Sequence, residues 1–169
     1  MTDTDLTIDI LDPSDDSRGF RTALGAFATG VTVITTTTPE GPVGITANSF
    51  SAVSLDPPLV LWSPDKGSRR FEHFADAQRY AIHVLAEDQR AVCDGFMKSK
   101  TAFEGLSWHP NHAGVPIIDG ALAVYECNFE ARHDAGDHAI VLGRVTKLRR
   151  REGAPLVFHA GKYGTFRAG

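Results

Sequence analysis

The sequence predicts a mainly β domain with α-helical additions, arranged most simply as a β-barrel. Six or seven short runs are rich in β-branched or aromatic residues, and turn-forming residues separate them. No regular helix stands between successive runs, which disfavours a doubly wound parallel sheet. With 169 residues the chain is most simply one domain, able to bury roughly 70% of its unfolded surface.

The N-terminal part is predicted to be an arm followed by one helix. Residues 1–16 are rich in aspartate and hold few apolar anchors, so we expect a loose or extended arm. Ser17 is a suitable N-cap for a helix that runs to about Ala28. Its apolar stripe would consist of Phe20, Leu24 and Phe27.

Two predicted strand pairs come next. Val31–Thr38 is β-branched almost throughout, and turn residues then lead back into Val43–Thr46 as a hairpin partner. Phe50–Leu55 and Leu59–Trp62 are joined by a rigid Asp-Pro-Pro corner, where proline cannot donate to a ladder. Because the last run is apolar without alternation, we expect a strand that is covered on both faces.

The second half of the chain is predicted to hold two helices, three strands and a long loop. The helices are Ser68–Ala77, with Phe71 and Phe74 on one side, and Glu87–Lys98, with Ala91, Val92 and Phe96 inward. The other elements are a strand at Tyr80–Leu85, a loop at Ser99–Gly120, two strands at Ala121–Arg132 and His138–Arg149 around the turn His133–Asp137, and a strand or turn at Pro155–Phe166.

Composition excludes several function classes. The net charge is −4 and the pI about 5.9, so no basic field indicates a nucleic-acid or membrane partner. The apolar runs are too short to span a bilayer, and the N-terminus lacks the apolar core of a signal peptide. Cys93 and Cys127 form no CxxC pattern, so we expect two buried thiols in a cytoplasmic protein.

Several catalytic motifs are absent or incomplete. The segment Gly25–Thr32 resembles a phosphate loop, but Val31 stands where lysine is needed, and the segment precedes a strand. No GxGxxG and no GxSxG pattern occurs. His109 and His112 flank Pro110 and cannot share a helical face, so no metal site is predicted.

The most informative stretch surrounds the double proline. Before it, Thr46, Ala47, Asn48 and Ser49 form a cluster whose backbone N–H groups and hydroxyls we expect to face a ligand. Beyond it, Asp65–Arg70 contains a glycine, a hydroxyl and three cations. A planar polar ring and a phosphate would suit these two halves. Each half alone also fits an ordinary polar turn or the solvated start of a helix.

Four blocks of the sequence, taken together, resemble the short-chain flavin reductase family. Members are NAD(P)H:flavin oxidoreductases that supply reduced flavin to two-component monooxygenases. The resemblance covers residues 18–166. The blocks are GVTVIT (30–35), GITANSFSAVSLDPPL (44–59), GALAVYEC (120–127) and GDHAIVLGRV (136–145).

The resemblance implies a split β-barrel over residues 17–169 that binds FMN or FAD, usually as a homodimer with the flavin near the subunit interface. The resemblance also implies that hydride comes from NADH or NADPH and that reduced flavin goes to a monooxygenase or to ferric iron. His138, in the Gly-Asp-His block, is the implied catalytic residue. Implied cofactor-binding residues are Thr46, Ala47, Asn48 and Ser49 along the ring, Ser63, Lys66, Ser68 and Arg69 along the ribityl chain and phosphate, and Phe103 and Tyr163.

The sequence leaves two alternatives to a flavin reductase open, and it departs from the family pattern near the C-terminus. The chain resembles its family less at Lys162 and Tyr163, where an arginine often precedes the aromatic residue, and at His159. The same barrel also suits a non-catalytic flavin-binding electron carrier. A pyridoxamine-phosphate-oxidase-like barrel is the third possibility, and the Gly-Asp-His block argues against it. FMN and FAD, and prosthetic and diffusing flavin, are not distinguished.

Overall fold

The computed structural model describes residues 8–169, so the first seven residues of the predicted arm lie outside the described part. The fold is mainly β with helical additions, which confirms the predicted class. The helices are α1 (Ser17–Gly25), α2 (Phe71–Phe74) and α3 (Arg90–Lys98). The strands are β1 (Thr29–Gly30), β2 (Thr32–Thr38), β3 (Gly41–Ala47), β4 (Ser51–Leu55), β5 (Pro58–Trp62), β6 (Arg79–Val84), β7 (Trp108–Pro110), β8 (Pro116–Ile118), β9 (Ala123–Ala135), β10 (His138–Arg150), β11 (Leu156–His159) and β12 (Lys162–Thr165).

The main sheet is antiparallel and has the strand order β3-β2-β6-β9-β10-β5-β4. Its two edge strands are joined by only Asn48–Phe50. This connection spans at most about 15 Å, whereas seven flat strands would place the edges about 29 Å apart. The sheet therefore curls until its edges approach, which agrees with the predicted split barrel. A second sheet, β1-β11-β12, and the small hairpin β7–β8 complete the fold.

The first helix differs from its prediction at both ends. Asp16, not Ser17, is the N-cap, and its Oδ1 accepts a hydrogen bond of 2.7 Å from the backbone N–H of Gly19. The helix ends at Gly25, because the next residues lead into β1, which pairs with β11. Phe20, Leu24 and Phe27 are all exposed, so the apolar stripe does not pack on its own domain.

The prediction of a helix over Ser68–Ala77 is wrong, because only Phe71–Phe74 is helical. Ser68 Oγ accepts from the backbone N–H of Arg70 at 3.2 Å. Such side-chain turns compete with the helical hydrogen bonds of the first turn. Phe74 is buried as predicted, and its ring meets that of Trp62 edge-on at 5.7 Å.

The next helical segment starts as a 3-10 turn and continues as α3. Its buried residues are Val92, Cys93 and Phe96, whereas the predicted inward residue Ala91 is exposed. The spacing i, i+1, i+4 places the three buried residues on one face of α3, and Ala91 lies outside that face.

Three further predictions need correction. Val60 and Trp62 are buried while Leu59 and Leu61 are half-buried, so β5 alternates and is not equally covered on both faces. The predicted loop Ser99–Gly120 contains the β7–β8 hairpin. Strands β9 and β10 extend to a two-residue turn at Gly136-Asp137, where Gly136 has φ 66°, instead of the longer predicted turn.

Both cysteines are free and buried, as predicted, in two different parts of the core. Cys93 packs in the cluster that contains Val33, Leu85 and Phe96, and Cys127 in the cluster that contains Trp62. Within residues 8–169, no helix has the length and apolar composition needed to cross a membrane.

Candidate functional site

A cleft of about 190 Å³ lies at the end of β3. Three of the predicted ring-binding residues line it, together with side chains from the last turn of α3 and from the C-terminal hairpin. The lining residues are Val31, Thr46, Ala47, Asn48, Met97, Phe158 and Tyr163. The walls of the cleft are predominantly apolar, and its polar part is the backbone at the C-terminal end of β3.

The turn after β3 offers backbone donors but no free hydroxyls of threonine or serine. Thr46 Oγ1 donates to the carbonyl of Cys93 at 2.9 Å, and Ser49 Oγ accepts from Ser63 N–H at 2.9 Å. The prediction that these hydroxyls face a ligand is therefore wrong. Among residues 8–169, the backbone N–H groups of Asn48 and Ser49 have no acceptor. Asn48 lines the cleft and Ser49 directly follows it in the chain, so these two N–H groups are candidate donors beside the cleft.

The loop after β5 lies against the tip of the β9–β10 hairpin. Lys66 N–H donates to the carbonyl of Asp137 at 2.9 Å, and Ala139 N–H donates to the carbonyl of Pro64 at 3.1 Å. These two bonds place Ser63 and Lys66 beside the start of β10. Because Ser63 is also bonded to Ser49, the loop connects the cleft to the hairpin tip.

The ammonium group of Lys66 is already occupied by protein acceptors. Nζ donates to the carbonyl of Gly136 at 2.6 Å and forms an ion pair with Asp134. The side chain of Lys66 is two-thirds buried, while that of Asp134 is exposed. Lys66 thus holds the hairpin tip in place and is less accessible to a phosphate than the sequence suggests.

His138, the predicted catalytic residue, is half-buried at the first position of β10. Its Nδ1 lies 2.7 Å from Asp137 Oδ1, and this hydrogen bond, together with the imidazole charge, lowers the pKa of Asp137. Because a carboxylate only accepts, Nδ1 carries the hydrogen, and Nε2 is the acceptor of the neutral ring.

The remaining predicted residues occupy different surroundings. Ser68 caps the turn before α2, and the neighbouring Arg69 is exposed, with no partner in the described part of the chain. Arg70 instead binds the carbonyls of Phe96 and Met97 at the end of α3. Phe103 is buried in the core, with its ring 4.9 Å from that of Phe96, and does not line the cleft.

Sequence reasoning missed three lining residues, Val31, Met97 and Phe158. Met97 lies on the outer side of α3, where an exposed methionine resembles any surface residue. Phe158 had a detectable pattern, because it pairs with Tyr163 across the turn at Ala160-Gly161, and the two ring centroids are 4.9 Å apart. Both rings then lie on one face of the hairpin.

The sequence model of a known family, described as flavin reductase like domain, matches residues 24–167. The chain belongs to the flavin reductase family. This confirms the resemblance inferred from the four sequence blocks, and the match includes both the cleft and the β9–β10 hairpin of this flavin reductase.

Several relatives of this flavin reductase are similar over most of their length. The FMN reductase (NADH) SmoA of Agrobacterium fabrum is 55% identical over 90% of this chain and 87% of the relative. HsaB of Rhodococcus jostii, the reductase subunit of a flavin-dependent monooxygenase, is 44% identical over 88% of this chain and 77% of the relative.

Solved structures agree with the fold. The nitrilotriacetate monooxygenase component B homologue of Mycobacterium thermoresistibile has a TM-score of 0.86 and 41% identity, covering 92% of this chain and 89% of that one. A Streptomyces globisporus NADH:FAD oxidoreductase, in complex with NAD and FAD fragments, has a TM-score of 0.87 and 34% identity, over 95% and 98%.

Proposed function

We propose that this flavin reductase transfers hydride from NADH or NADPH to FMN or FAD and supplies the reduced flavin to a partner monooxygenase. The observation that carries the proposal is the apolar cleft with two unpaired backbone donors, connected by one loop to the hairpin that holds His138. Its relatives support it, since one is an FMN reductase (NADH) and another the reductase subunit of a flavin-dependent monooxygenase.

The residues of the cleft fit an isoalloxazine ring. Met97, Phe158 and Tyr163 provide apolar surface for its hydrocarbon edge, while the N–H groups of Asn48 and Ser49 provide donors for its carbonyl edge. The small side chain of Ala47 lets the backbone approach the ring. When bound, flavin supplies the redox chemistry by accepting a hydride and its two electrons from the reduced nicotinamide.

The phosphate side of the flavin is assigned to Ser68 and Arg69. The guanidinium of Arg69 is exposed and has no described protein partner, whereas Lys66 is held by Asp134 and Gly136. Arginine also binds phosphate in a bidentate manner. We therefore expect Lys66 to act mainly by fixing the hairpin tip.

A homodimer is part of the proposal. The cleft, at about 190 Å³, is smaller than the roughly 300–1,000 Å³ of typical small-molecule sites, so a second surface is needed to enclose the ring. Phe20, Leu24 and Phe27 of α1 and Leu55 of edge strand β4 expose apolar surface that a second copy would cover. Light scattering should give twice 18.3 kDa, and a monomer would contradict this assignment.

A cytoplasmic location and a domain that begins near residue 17 are also proposed. Two free buried thiols suit a reducing compartment, and α1 is the first helix of the described chain. Fractionation of the producing cells tests the location, since reductase activity should be found in the soluble fraction. Truncation of residues 1–16 tests the domain boundary, since the shortened chain should keep its reductase activity.

The purified protein is expected to bleach excess FMN or FAD when NADH is added without oxygen. The absorbance of oxidised flavin should fall at a rate proportional to protein concentration. Varying NADH and flavin together then distinguishes a retained flavin, which gives ping-pong kinetics, from a diffusing one, which gives sequential kinetics. A yellow protein that ignores NADH would support an electron carrier instead, and no rate above the protein-free control would refute the proposal.

Replacing His138 by alanine should lower kcat about tenfold while leaving the flavin Kd within about twofold. Hydride transfer needs positioned rings and no side-chain base, and Nε2 of His138 is the free polar atom that can orient the nicotinamide. Stopped-flow absorbance and fluorescence titration measure the two quantities. His112→Ala, at an exposed loop position between β7 and β8, is the matched control. An unchanged kcat in His138→Ala would remove this residue from the mechanism.

A further inference from the structure

Tyr163, which forms one wall of the cleft, is stacked against a cation. The guanidinium carbon of Arg90 lies 3.6 Å from the centroid of the Tyr163 ring. The guanidinium is itself oriented, because its Nε donates to Asp94 Oδ1 at 2.9 Å one turn further along α3. One face of the Tyr163 ring is therefore in contact with a planar group whose position is fixed by the helix.

The hydroxyl of Tyr163 points at two sulfur atoms of the same helix. It donates to Met97 Sδ at 3.3 Å and lies 3.6 Å from Cys93 Sγ. Burial raises the pKa of Tyr163 to about 12, so the hydroxyl keeps its hydrogen throughout the physiological range. The hydroxyl contacts orient the ring in its plane, while Arg90 and the neighbouring ring of Phe158 limit how far the plane can tilt.

The hairpin that carries Tyr163 has few other attachments at this point. Strand β12 lies at the edge of its three-stranded sheet and pairs with β11 alone. Beyond β12, Arg167 forms an exposed ion pair with Glu87. The backbone of the hairpin is thus held by its own ladder, by β1 and by the hydrogen bond of 2.9 Å from Ala160 N–H to the carbonyl of Gly25. The tilt of the Tyr163 ring depends on Phe158 on one side and on α3 on the other.

We propose that Arg90 is a positioning residue of the flavin cleft, which holds Tyr163 as a rigid wall and thereby raises the affinity for flavin. The proposal deepens the proposed function and rests on it. Arg90 does not line the cleft and acts only through Tyr163. Loss of a partly exposed cation–π contact corresponds to about a fivefold change in an equilibrium constant.

Arg90→Ala is expected to raise the Kd for FMN about fivefold, while kcat at saturating flavin and the KM for NADH stay within about twofold. Arg90→Lys should restore part of the affinity, because an ammonium can still lie over the ring. Fluorescence titration with FMN and steady-state kinetics on the full chain measure these values. The matched control is Arg144→Ala on β10, which breaks an ion pair with Glu130 of β9 and involves no residue that lines the cleft.

A double-mutant cycle separates positioning from general stabilisation. In a Tyr163→Leu background, Arg90→Ala should have no further effect on the FMN Kd, because the ring through which it acts is gone. An unchanged Kd in Arg90→Ala, or an equal effect in both backgrounds, overturns the inference. A wild-type protein that neither binds nor reduces flavin overturns the proposed function instead, so the two failures are distinguishable.

Discussion

Replacing Gly143 by alanine is expected to lower the free energy of unfolding by about 3 kcal/mol, the cost of overpacking a rigid core position. Gly143 lies in β10, where the register with β9 shifts, and it is buried. An added Cβ would overlap the hydroxyl of Tyr80 and lie 3.1 Å from Cys127 Cβ. Tyr80 is only 1% exposed and its ring packs against that of Trp62, so relieving the overlap requires a buried aromatic side chain to shift. Urea unfolding measures the loss.

The matched control is Gly30→Ala in β1. An added Cβ there meets nothing within 4 Å, so the free energy of unfolding should change by less than about 0.5 kcal/mol. Both substitutions add one methyl group to a strand glycine. Equal effects at the two positions would show that strand conformation, and not the contact with Tyr80, determines the loss.

A second variant, Tyr80→Phe, tests whether the hydroxyl oxygen of Tyr80 causes the overlap. The Tyr80 hydroxyl is buried and has no hydrogen-bond partner within the described chain, so Tyr80→Phe should cost little or even stabilise. In that background Gly143→Ala should be clearly less destabilising, because the overlapping oxygen is absent. Failure of Tyr80→Phe to relieve the cost would locate the overlap at the ring carbon Cζ of residue 80, 2.9 Å from the added Cβ, or at Cys127.

Local chemistry explains which parts of the fold were predictable. The β-branched run that becomes β2, the turn between β2 and β3 and the corner at Pro57-Pro58 each depend on residues adjacent in sequence. The failures depend on tertiary contacts. The periodicity predicts a helix that includes Ser68, because it does not reveal that the Ser68 hydroxyl accepts a hydrogen bond from the backbone N–H of Arg70. The stripe of α1 has the spacing of a core face but is exposed, because spacing alone does not show whether a helix packs on its own domain.

In the candidate site, too, the predictable residues are adjacent in sequence, and the others depend on tertiary contacts. Thr46–Ser49 can be proposed from the sequence because the segment lies in one contiguous block next to a proline corner, and three of its residues line the cleft. Met97 and Phe158 come from elements that meet β3 only after folding, so no spacing rule connects them to it. The sequence predicts that Lys66 binds a phosphate, but it does not reveal the ion pair with Asp134, an exposed hairpin residue that only the three-dimensional pairing brings near.

The second large effect concerns His83, which links the main sheet to the small hairpin. Its ring is fully buried, with Nδ1 3.0 Å from the carbonyl of Val33 on β2 and Nε2 accepting from the N–H of Ile118 on β8 at 3.1 Å. Nδ1 therefore carries the hydrogen, and the neutral ring satisfies both partners. Burial lowers the pKa of His83 to about 4, with Glu126 and Arg149 acting on it in opposite directions.

Acid should therefore destabilise the protein through this residue. In the unfolded chain a histidine with a pKa of about 6.5 takes up a proton as the pH falls, while folded His83 stays neutral down to about 4. The unfolded state then binds more protons than the folded state. The stability contributed by neutral His83 is complete above pH 6.5 and is lost as the pH falls towards 4, by on the order of 3 kcal/mol.

Urea unfolding at pH 7.5 and pH 4.5 measures this loss, and His83→Gln should reduce the difference between the two pH values. Glutamine keeps one donor and one acceptor but does not titrate. His112→Ala, which removes an exposed imidazole, should leave the difference unchanged. If His83→Gln does not fold, NMR titration of the wild-type ring decides, because the His83 signals should not shift between pH 7.5 and pH 5.5. A titration midpoint near 6.5 would mean that β8 leaves the ring accessible to water, and the acid sensitivity would need another source.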